Sequence, residues 1–382
     1  MKEIIFFTNR FGDLDHIRNL IFHLSKKKIK IHILQNQLNH SISLSDFEYN
    51  KISKYLRFYP RNLFKIYNFI HYLRLKNKSK IFNFLSWYLL QFIRKVFFYN
   101  KKKFFLNILK KNSSVIFCGS IDEDIIQLKD LFKFKTCFLL HGLKTHKGFK
   151  DKNFQKILEI KKTQKNLDRL IACNLNQWKT GGLKNKPIFL ANPRYGMPKK
   201  IFKNNLKKKK YETLVILDKI KWNYGEKTFY AFKIKELIKI LDFLLSYCNK
   251  KIVFKFHPSL DINYFNKFID FKKFNNCEVF INERKTEELI FLSKKIIGFG
   301  SSSLMDAIFL NKKFLFPVHC TNYNSYFVQC CPKNISTNFK DFVKKFKNLD
   351  KIKTSNFKDG QYDKILGYNK NNLFKNYEKT II

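Results

Sequence analysis

Two segments of this 382-residue chain hold side chains of the kind that grip phosphate. The first is Phe254-Lys255-Phe256-His257-Pro258. The second, further along, is Ile296-Ile297-Gly298-Phe299-Gly300-Ser301-Ser302-Ser303-Leu304-Met305-Asp306-Ala307. An apolar run ending in glycine and three hydroxyl residues, followed by a helical pattern from Leu304 to Leu310, predicts a strand, a tight turn and a helix start. Such a start offers unsatisfied N–H groups and a partial positive charge. The hydroxyls of Ser301, Ser302 and Ser303 add donors, and Asp306 stands one turn into the helix, within reach of a sugar hydroxyl. The same residues also fit a plainer role, because Ser is a favoured N-cap and Asp suits a first helical turn. His257 ends an apolar run, the position at which open α/β sheets present ligand groups, and its imidazole can donate to a phosphate and stabilise leaving-group charge. Pro258 turns the chain out of the strand. A histidine at a strand end can equally be structural.

The elements that must position these residues follow a repeating order. Ile4 to Thr8 predicts a strand, Asn9 to Asp15 a polar loop, Ile17 to Lys26 an amphipathic helix and Ile29 to Leu34 a second strand, which together make one βαβ unit. Short apolar strands are predicted at Ser114 to Cys118, Thr136 to Leu140, Arg169 to Cys173 and Pro187 to Leu190. A second series comprises Thr213 to Leu217, Lys251 to Phe256, Glu278 to Ile281, Lys295 to Gly298 and Phe314 to Pro317. Helices are expected between them at Phe229 to Asn249, Asp261 to Phe268, Thr286 to Ser293 and Ser303 to Leu310. Strands alternating with helices predict parallel sheets covered on both faces. The Lys- and Asn-rich stretch Lys199 to Tyr211 has no packable face and reads as a linker. The expectation is therefore an α/β protein of two Rossmann-like, doubly wound domains facing a cleft, with domain limits 1–198 and 212–382 around a linker at 199–211. A helix at Phe339 to Phe346 and then a poorly specified tail should close the chain.

Net charge is +47, from 76 Lys and Arg against 29 Asp and Glu. Only nine of the basic residues are Arg, the side chain that reads phosphate and bases bidentately, and no aromatic-plus-Arg signature of RNA binding is evident. The excess is Lys, accompanied by abundant Phe, Asn, Ile and Tyr, all with A/T-rich codons. Coding composition thus accounts for the charge better than nucleic-acid binding does, although the field still attracts anionic donors and lipid headgroups. Eight scattered cysteines without a CxxC pair read as buried thiols of a reducing compartment. The chain opens on strand-like Glu3 to Thr8 without the basic and apolar regions of a signal peptide, so a cytoplasmic protein is expected. A helical region from about Tyr55 to Lys111 contains the longest apolar segment, Ile81 to Ile93, too short to span a bilayer. It fits an amphipathic helix packed on a sheet, and it also fits a helix lying on an anionic membrane.

Five local patterns, in order along most of the chain, resemble those of GT-B glycosyltransferases of bacterial surface carbohydrates, including CDP-glycerol glycerophosphotransferases and polysialyl- and Kdo-type capsule transferases. They are Phe11-Gly12-Asp13-Leu14-Asp15-His16, His141-Gly142-Leu143-Lys144, Asn192-Pro193-Arg194-Tyr195, His257-Pro258, and Ser301-Ser302-Ser303 with Asp306-Ala307. The resemblance implies that His257, Pro258, Ser301, Ser302 and Ser303 hold the donor's nucleotide phosphates, that Asp306 meets the ribose, and that Asn192 and Arg194 belong to the linker beside the cleft. It also implies a nucleotide-sugar donor as substrate, no further cofactor, and a glycan or lipid-linked acceptor.

Such a reaction needs a base for the acceptor hydroxyl, expected from the first domain. His141, after an apolar run and before glycine, is the first candidate, and Asp13 the second, with Asp15 beside it, although an Asp there can equally cap the helix starting near His16. Lys144, His146 and Lys147 fit either the holding of an anionic acceptor or ordinary solvated charge. No DxD-type pair ends a strand, and Asp122-Glu123-Asp124 reads as a helix cap, so no metal is expected. Two rival readings are a nucleotide-sugar 2-epimerase of the same architecture and a non-enzymatic basic protein that binds glycan, membrane or nucleic acid. Against the epimerase stand the missing Glu-rich segment after the serine loop and His141-Gly142-Leu143-Lys144 in place of a carboxylate-bearing motif.

Overall fold

The computed structural model describes residues 2–8, 11–35, 56–58, 79–106, 113–119, 125–126, 128–139, 146–149, 167–173, 187–195, 210–218, 220–224, 227–257, 262–281, 283, 286–301, 303–325, 327–351 and 372–382. In the first half the strands are β1 (Lys2–Thr8), β2 (Ile29–Gln35), β3 (Leu56–Phe58), β4 (Ser114–Cys118), β5 (Lys135–Leu139), β6 (His146–Phe149), β7 (Arg169–Ala172) and β8 (Ile188–Phe189). All but β6 form one parallel sheet of seven strands in the order β3-β2-β1-β4-β5-β7-β8. Helices α1 (Phe11–Ser25), α2 (Lys80–Leu106) and α3 (Lys129–Phe132) lie among its connections. Alternation at period two divides the strand side chains between two layers. Ile4, Phe6, Ile31, Ile33 and Ile116 pack with Leu14, Ile17, Ile21 and Leu24 of α1. Ile5, Phe7, Leu34, Val115 and Phe117 pack with Ile125 and Leu128 on the opposite face. Both faces are covered, so the strands read as continuous apolar runs.

The second half repeats the plan. Its strands are β9 (Tyr211–Leu217), β10 (Lys221–Tyr224), β11 (Lys227–Tyr230), β12 (Ile252–Phe256), β13 (Cys277–Phe280), β14 (Ser293–Phe299), β15 (Lys313–Pro317), β16 (Tyr323–Ser325) and β17 (Ile335–Ser336). Six of them form a sheet in the order β13-β12-β9-β14-β15-β17, while β10 and β11 pair as a separate hairpin. The helices are α4 (Ile234–Tyr247), α5 (Ile262–Asn266), α6 (Thr286–Leu292), α7 (Leu304–Phe309), α8 (Phe327–Cys330), α9 (Phe339–Lys347) and α10 (Leu373–Ile381). In α4 the residues Leu237, Ile240, Leu241, Leu244 and Leu245 recur at helical spacing and are buried. Counted within its own half, each sheet runs 3-2-1-4-5 and onward, the order of a doubly wound dinucleotide fold, so the expected two Rossmann-like domains are present. The order in which strands are added reverses between β1 and β4 in one sheet and between β9 and β14 in the other. Those two switch points are where such sheets open a crevice at their carboxyl edges.

Four local expectations are corrected. The loop predicted for Asn9 to Asp15 is already helix from Phe11, because Leu14 and Ile17 belong to the buried stripe that continues through Leu20, Ile21 and Leu24. The helical region predicted from Tyr55 contains strand β3, and its helix, α2, begins at Lys80. The helix predicted from Phe229 starts at Ile234, since Phe229 and Tyr230 pair in the β10–β11 hairpin. The chain end, expected to be a poorly specified tail of the second domain, is helix α10 in the core of the first. Leu373, Tyr377 and Ile381 pack among the residues of β1, β2 and α1. The Tyr377 hydroxyl donates to the Ala191 carbonyl at 3.1 Å, and the Ser114 hydroxyl donates to that of Ile381 at 2.8 Å. Arg169 also donates to the Thr380 carbonyl. The second domain therefore does not own residues 373–382.

Tyr377 is fully buried and anchors that return. Tyr377→Ala is expected to lower stability by about 3–5 kcal/mol in urea unfolding, with the loss confined to a transition reporting on the first half.

Candidate functional site

Three adjacent strands of the second sheet end level with one another. Phe256 of β12 pairs with Leu217 of β9, which pairs with Phe299 of β14. The next residues, His257, Asp218 and Gly300, therefore leave the carboxyl edge side by side. His257 is the better fixed because its N–H donates to the Leu217 carbonyl at 2.9 Å. With strands about 4.8 Å apart, His257 and Gly300 stand roughly 10 Å apart across β9. The two segments singled out in the sequence thus converge at the switch point of this sheet.

Gly300 has φ +76°, in the left-handed region, and a Cβ there would lie 1.6 Å from the Tyr323 hydroxyl oxygen. Both constraints demand glycine at this turn. Ser301 follows, and its hydroxyl oxygen accepts from the Ser303 N–H at 3.2 Å. Ser303 precedes α7 with helical backbone angles and no side-chain capping bond. The simple N-cap reading consequently fails for Ser303. A Cβ on Gly298 would lie 2.4 Å from the Leu304 side chain, so α7 packs directly against β14.

Tyr323 brings the first half to the same place. It begins β16, which pairs antiparallel with β6, joining Tyr323 to Phe149, Asn324 to Gly148 and Ser325 to His146. Strand β5 ends at Leu139, on the carboxyl edge of the first sheet, and from His146 to Phe149 the chain is paired by backbone to the second half. His141, Lys144, Pro258, Ser302 and Asp122 to Asp124 lie outside the described residues. Asp13 and Asp15 belong to the first turns of α1, and only the backbone is described there and at His146 and Lys147. Among the described residues no group of three His, Cys, Asp or Glu side chains is gathered to hold a metal ion. Burial raises the thiols of Cys137, Cys173 and Cys320 to about 12, so they remain protonated packing residues.

Asp306 has partners that its position in the sequence does not reveal. It is 4% exposed, its Oδ2 accepts from Arg194 Nη2 at 2.9 Å, and its Oδ1 accepts from the Tyr195 hydroxyl at 3.0 Å. Burial, then the Asp306 charge, hold the Tyr195 phenol well above its usual pKa, which keeps it a donor. Arg194 also pairs with Glu287 of α6, whose other oxygen accepts from Arg18 of α1 at 3.2 Å. The linker turn is itself fixed. The Arg194 N–H donates to Asn192 Oδ1 at 2.9 Å, Asn19 donates to the Arg194 carbonyl at 2.9 Å, and Asn192 Nδ2 lies 3.2 Å from His16 Nδ1. Asn192 and Arg194 thus stand where the two halves join, and Asp306 is bound into the same junction. Glu287, Arg18 and Asn19 are members that the sequence does not single out, whereas His16 and Tyr195 lie within its quoted motifs. The signal was the Asn-Pro-Arg-Tyr motif, which names one end of the network but not its partners.

Two switch points, with the last helix returned to the first half, invite comparison with known structures. Over 100% of its length the chain is similar to a UDP-GlcNAc 2-epimerase from Methanocaldococcus jannaschii, with TM-score 0.57, 13% identity and 99% of that chain covered. It is similar to the Staphylococcus aureus MnaA–UDP structure, with TM-score 0.56, 12% identity and coverage of 100% and 98%. It is also similar to the wall teichoic acid polymerase TagF soaked with CDPG, with TM-score 0.57, 12% identity and coverage of 100% and 87%. The fold is GT-B. No protein-family model matches the chain, and no curated protein matches it by sequence. The likeness therefore establishes the GT-B architecture and leaves the reaction to be argued from the site.

Arg194 serves two carboxylates that are themselves 5–13% exposed. Arg194→Ala leaves both under-compensated and is expected to cost about 3–5 kcal/mol in chemical denaturation. Arg194→Lys should recover only part of this, since an ammonium is a more strongly hydrated charge than a guanidinium and costs more to bury.

Proposed function

We propose that this GT-B protein is a transferase that moves a sugar, or a polyol phosphate, from an activated nucleotide onto a growing surface glycan at the cytoplasmic face of the membrane. The nucleotide is its substrate, and no separate cofactor is invoked. The observation that carries the reading is the level exit of His257 and Gly300-Ser301 on either side of β9, with the β6–β16 pairing joining residues 146–149 of the first half to the second. A donor phosphate seated between His257 and the serine loop receives an imidazole N–H on one side and backbone and hydroxyl donors on the other. Charge that develops on the leaving phosphate then meets donors already aimed at it, with no solvent reorganisation required. The acceptor hydroxyl must approach from the first sheet, where His141 is the proposed base and Asp13 the second candidate. The junction of Arg194, Glu287 and Asp306 positions the serine-loop helix relative to α1, and both carboxylate oxygens of Asp306 have partners there.

The epimerase reading is favoured by the likeness to the UDP-GlcNAc 2-epimerase from Methanocaldococcus jannaschii. It differs in needing no acceptor. Product analysis separates the two, because an epimerase converts the donor sugar alone, whereas a transferase releases nucleotide in proportion to acceptor modified.

A thermal-shift screen against CMP, CDP, UDP, GDP and their sugar conjugates tests the site. Stabilisation by one base is expected, about 2.7 kcal/mol at 100 times its dissociation constant, and it should be lost in His257→Ala and Ser302→Ala. With the donor so identified, His257→Ala should cost about 3 kcal/mol of transition-state stabilisation. Replacing His141 should abolish turnover and spare donor binding. A shift that is equal for every nucleotide and unchanged in both variants would overturn the assignment.

A further inference from the structure

Helix α2 presents apolar side chains on two sides. Ser86, Leu90 and Ile93 are buried on one. On the other, Ile81, Phe84, Leu85, Tyr88 and Phe92 recur at helical spacing and are 55–75% exposed. Trp87 and Leu89, at the margins of the stripe, are also exposed. These residues fill about three turns, roughly 16 Å of helix surface. Such a contiguous stripe of Phe, Tyr, Trp and Leu is unlike the single exposed apolar residues normal on a soluble surface. The packed amphipathic helix expected for most of this region accounts for only one of the two faces.

The surroundings identify what covers the stripe. From residue 49 to residue 121 the sequence contains sixteen Lys and Arg and no Asp or Glu. Lys95, directly beyond Phe92, is exposed, and no acidic residue lies in the helix. Among the described residues no helix is long and apolar enough to cross a membrane. An apolar face with aromatic residues at its margins and a purely cationic setting is the pattern of a helix lying in the headgroup layer of anionic lipid. A second copy of the chain would bring two such uncompensated cationic regions together, which electrostatics opposes. We infer that α2 is a docking surface for an anionic lipid bilayer, with Phe84, Leu85, Tyr88 and Phe92 entering the acyl boundary.

The inference is independent of the donor and of the reaction, and it is tested without nucleotide. The full chain is mixed with vesicles of equal parts phosphatidylglycerol and phosphatidylcholine, or with pure phosphatidylcholine, and bound protein is measured by flotation. Binding to the anionic vesicles is expected, with a blue shift of tryptophan emission that is lost in Trp87→Tyr. Phe84→Ser/Leu85→Ser/Phe92→Ser should lower the partition coefficient at least about tenfold, and raised salt should lower it further. The melting temperature and the nucleotide-induced thermal shift of this variant should match those of the parent, because the replaced side chains are exposed and far from the switch points in sequence. Anionic binding unchanged by the triple substitution would mean general polycation adsorption and would overturn the assignment to α2. A dimer seen by light scattering and dissolved by the same substitutions, without vesicle binding, would assign the face to a second copy instead.

Discussion

Everything at the cleft depends on how Arg194 joins two half-proteins that could each stand on their own core. Its guanidinium meets Glu287 and Asp306 from the second half, while Arg18 on α1 supplies the second positive charge. Two arginines face two carboxylates, so the junction is neutral inside a chain of net charge +47. Removing four charged groups from water is costly, and hydrophobic residues of similar volume would pack as well or better. What a charged junction adds is direction. A single nitrogen of Arg194, Nη2, meets both carboxylates, which ties α6 and α7 to the turn beside α1 and so sets where the serine loop lies relative to the first sheet.

The same carboxylate illustrates where reading residues along a chain stops. Asp306 was recognised as one turn into a helix behind three serines, and that is where it lies. Whether its oxygens turn toward a ligand or toward Arg194 depends on a residue over a hundred positions earlier, which no local pattern encodes. His257 and Gly300 were better posed, because a strand's end is visible as the end of an apolar run and parallel strands in register stop together. The left-handed turn at Gly300 explains the choice of glycine, and the ring of Tyr323 above it explains why no side chain could follow.

Element by element, the strands of the two sheets were legible to within two residues wherever both faces were buried, as in β4, β12 and β15. The short pairings were not. Strand β6 joins β16 by backbone hydrogen bonds to a segment nearly half the chain away, so side-chain periodicity contributes no signal. The β10–β11 hairpin lies outside the main sheet and was absorbed into a neighbouring helical pattern. Helix α10 was missed for another reason: its apolar residues Leu373, Tyr377 and Ile381 are few, and the core that accepts them begins at residue 4. The strong Lys excess also blurred polar faces, since nearly every exposed position can be lysine whichever element it occupies.

The return of α10 has a mechanical meaning. Because the chain crosses from the first half to the second before β9 and back again before α10, the halves are held by two covalent straps rather than one. A single strap would act as a swivel, permitting bending and twisting alike. Two straps remove part of that freedom, and the second returns beside the first, since Tyr377 of α10 bonds Ala191 at the end of the first half. The way the two sheets face one another is therefore constrained by the path of the backbone itself as well as by the ion pairs at Arg194.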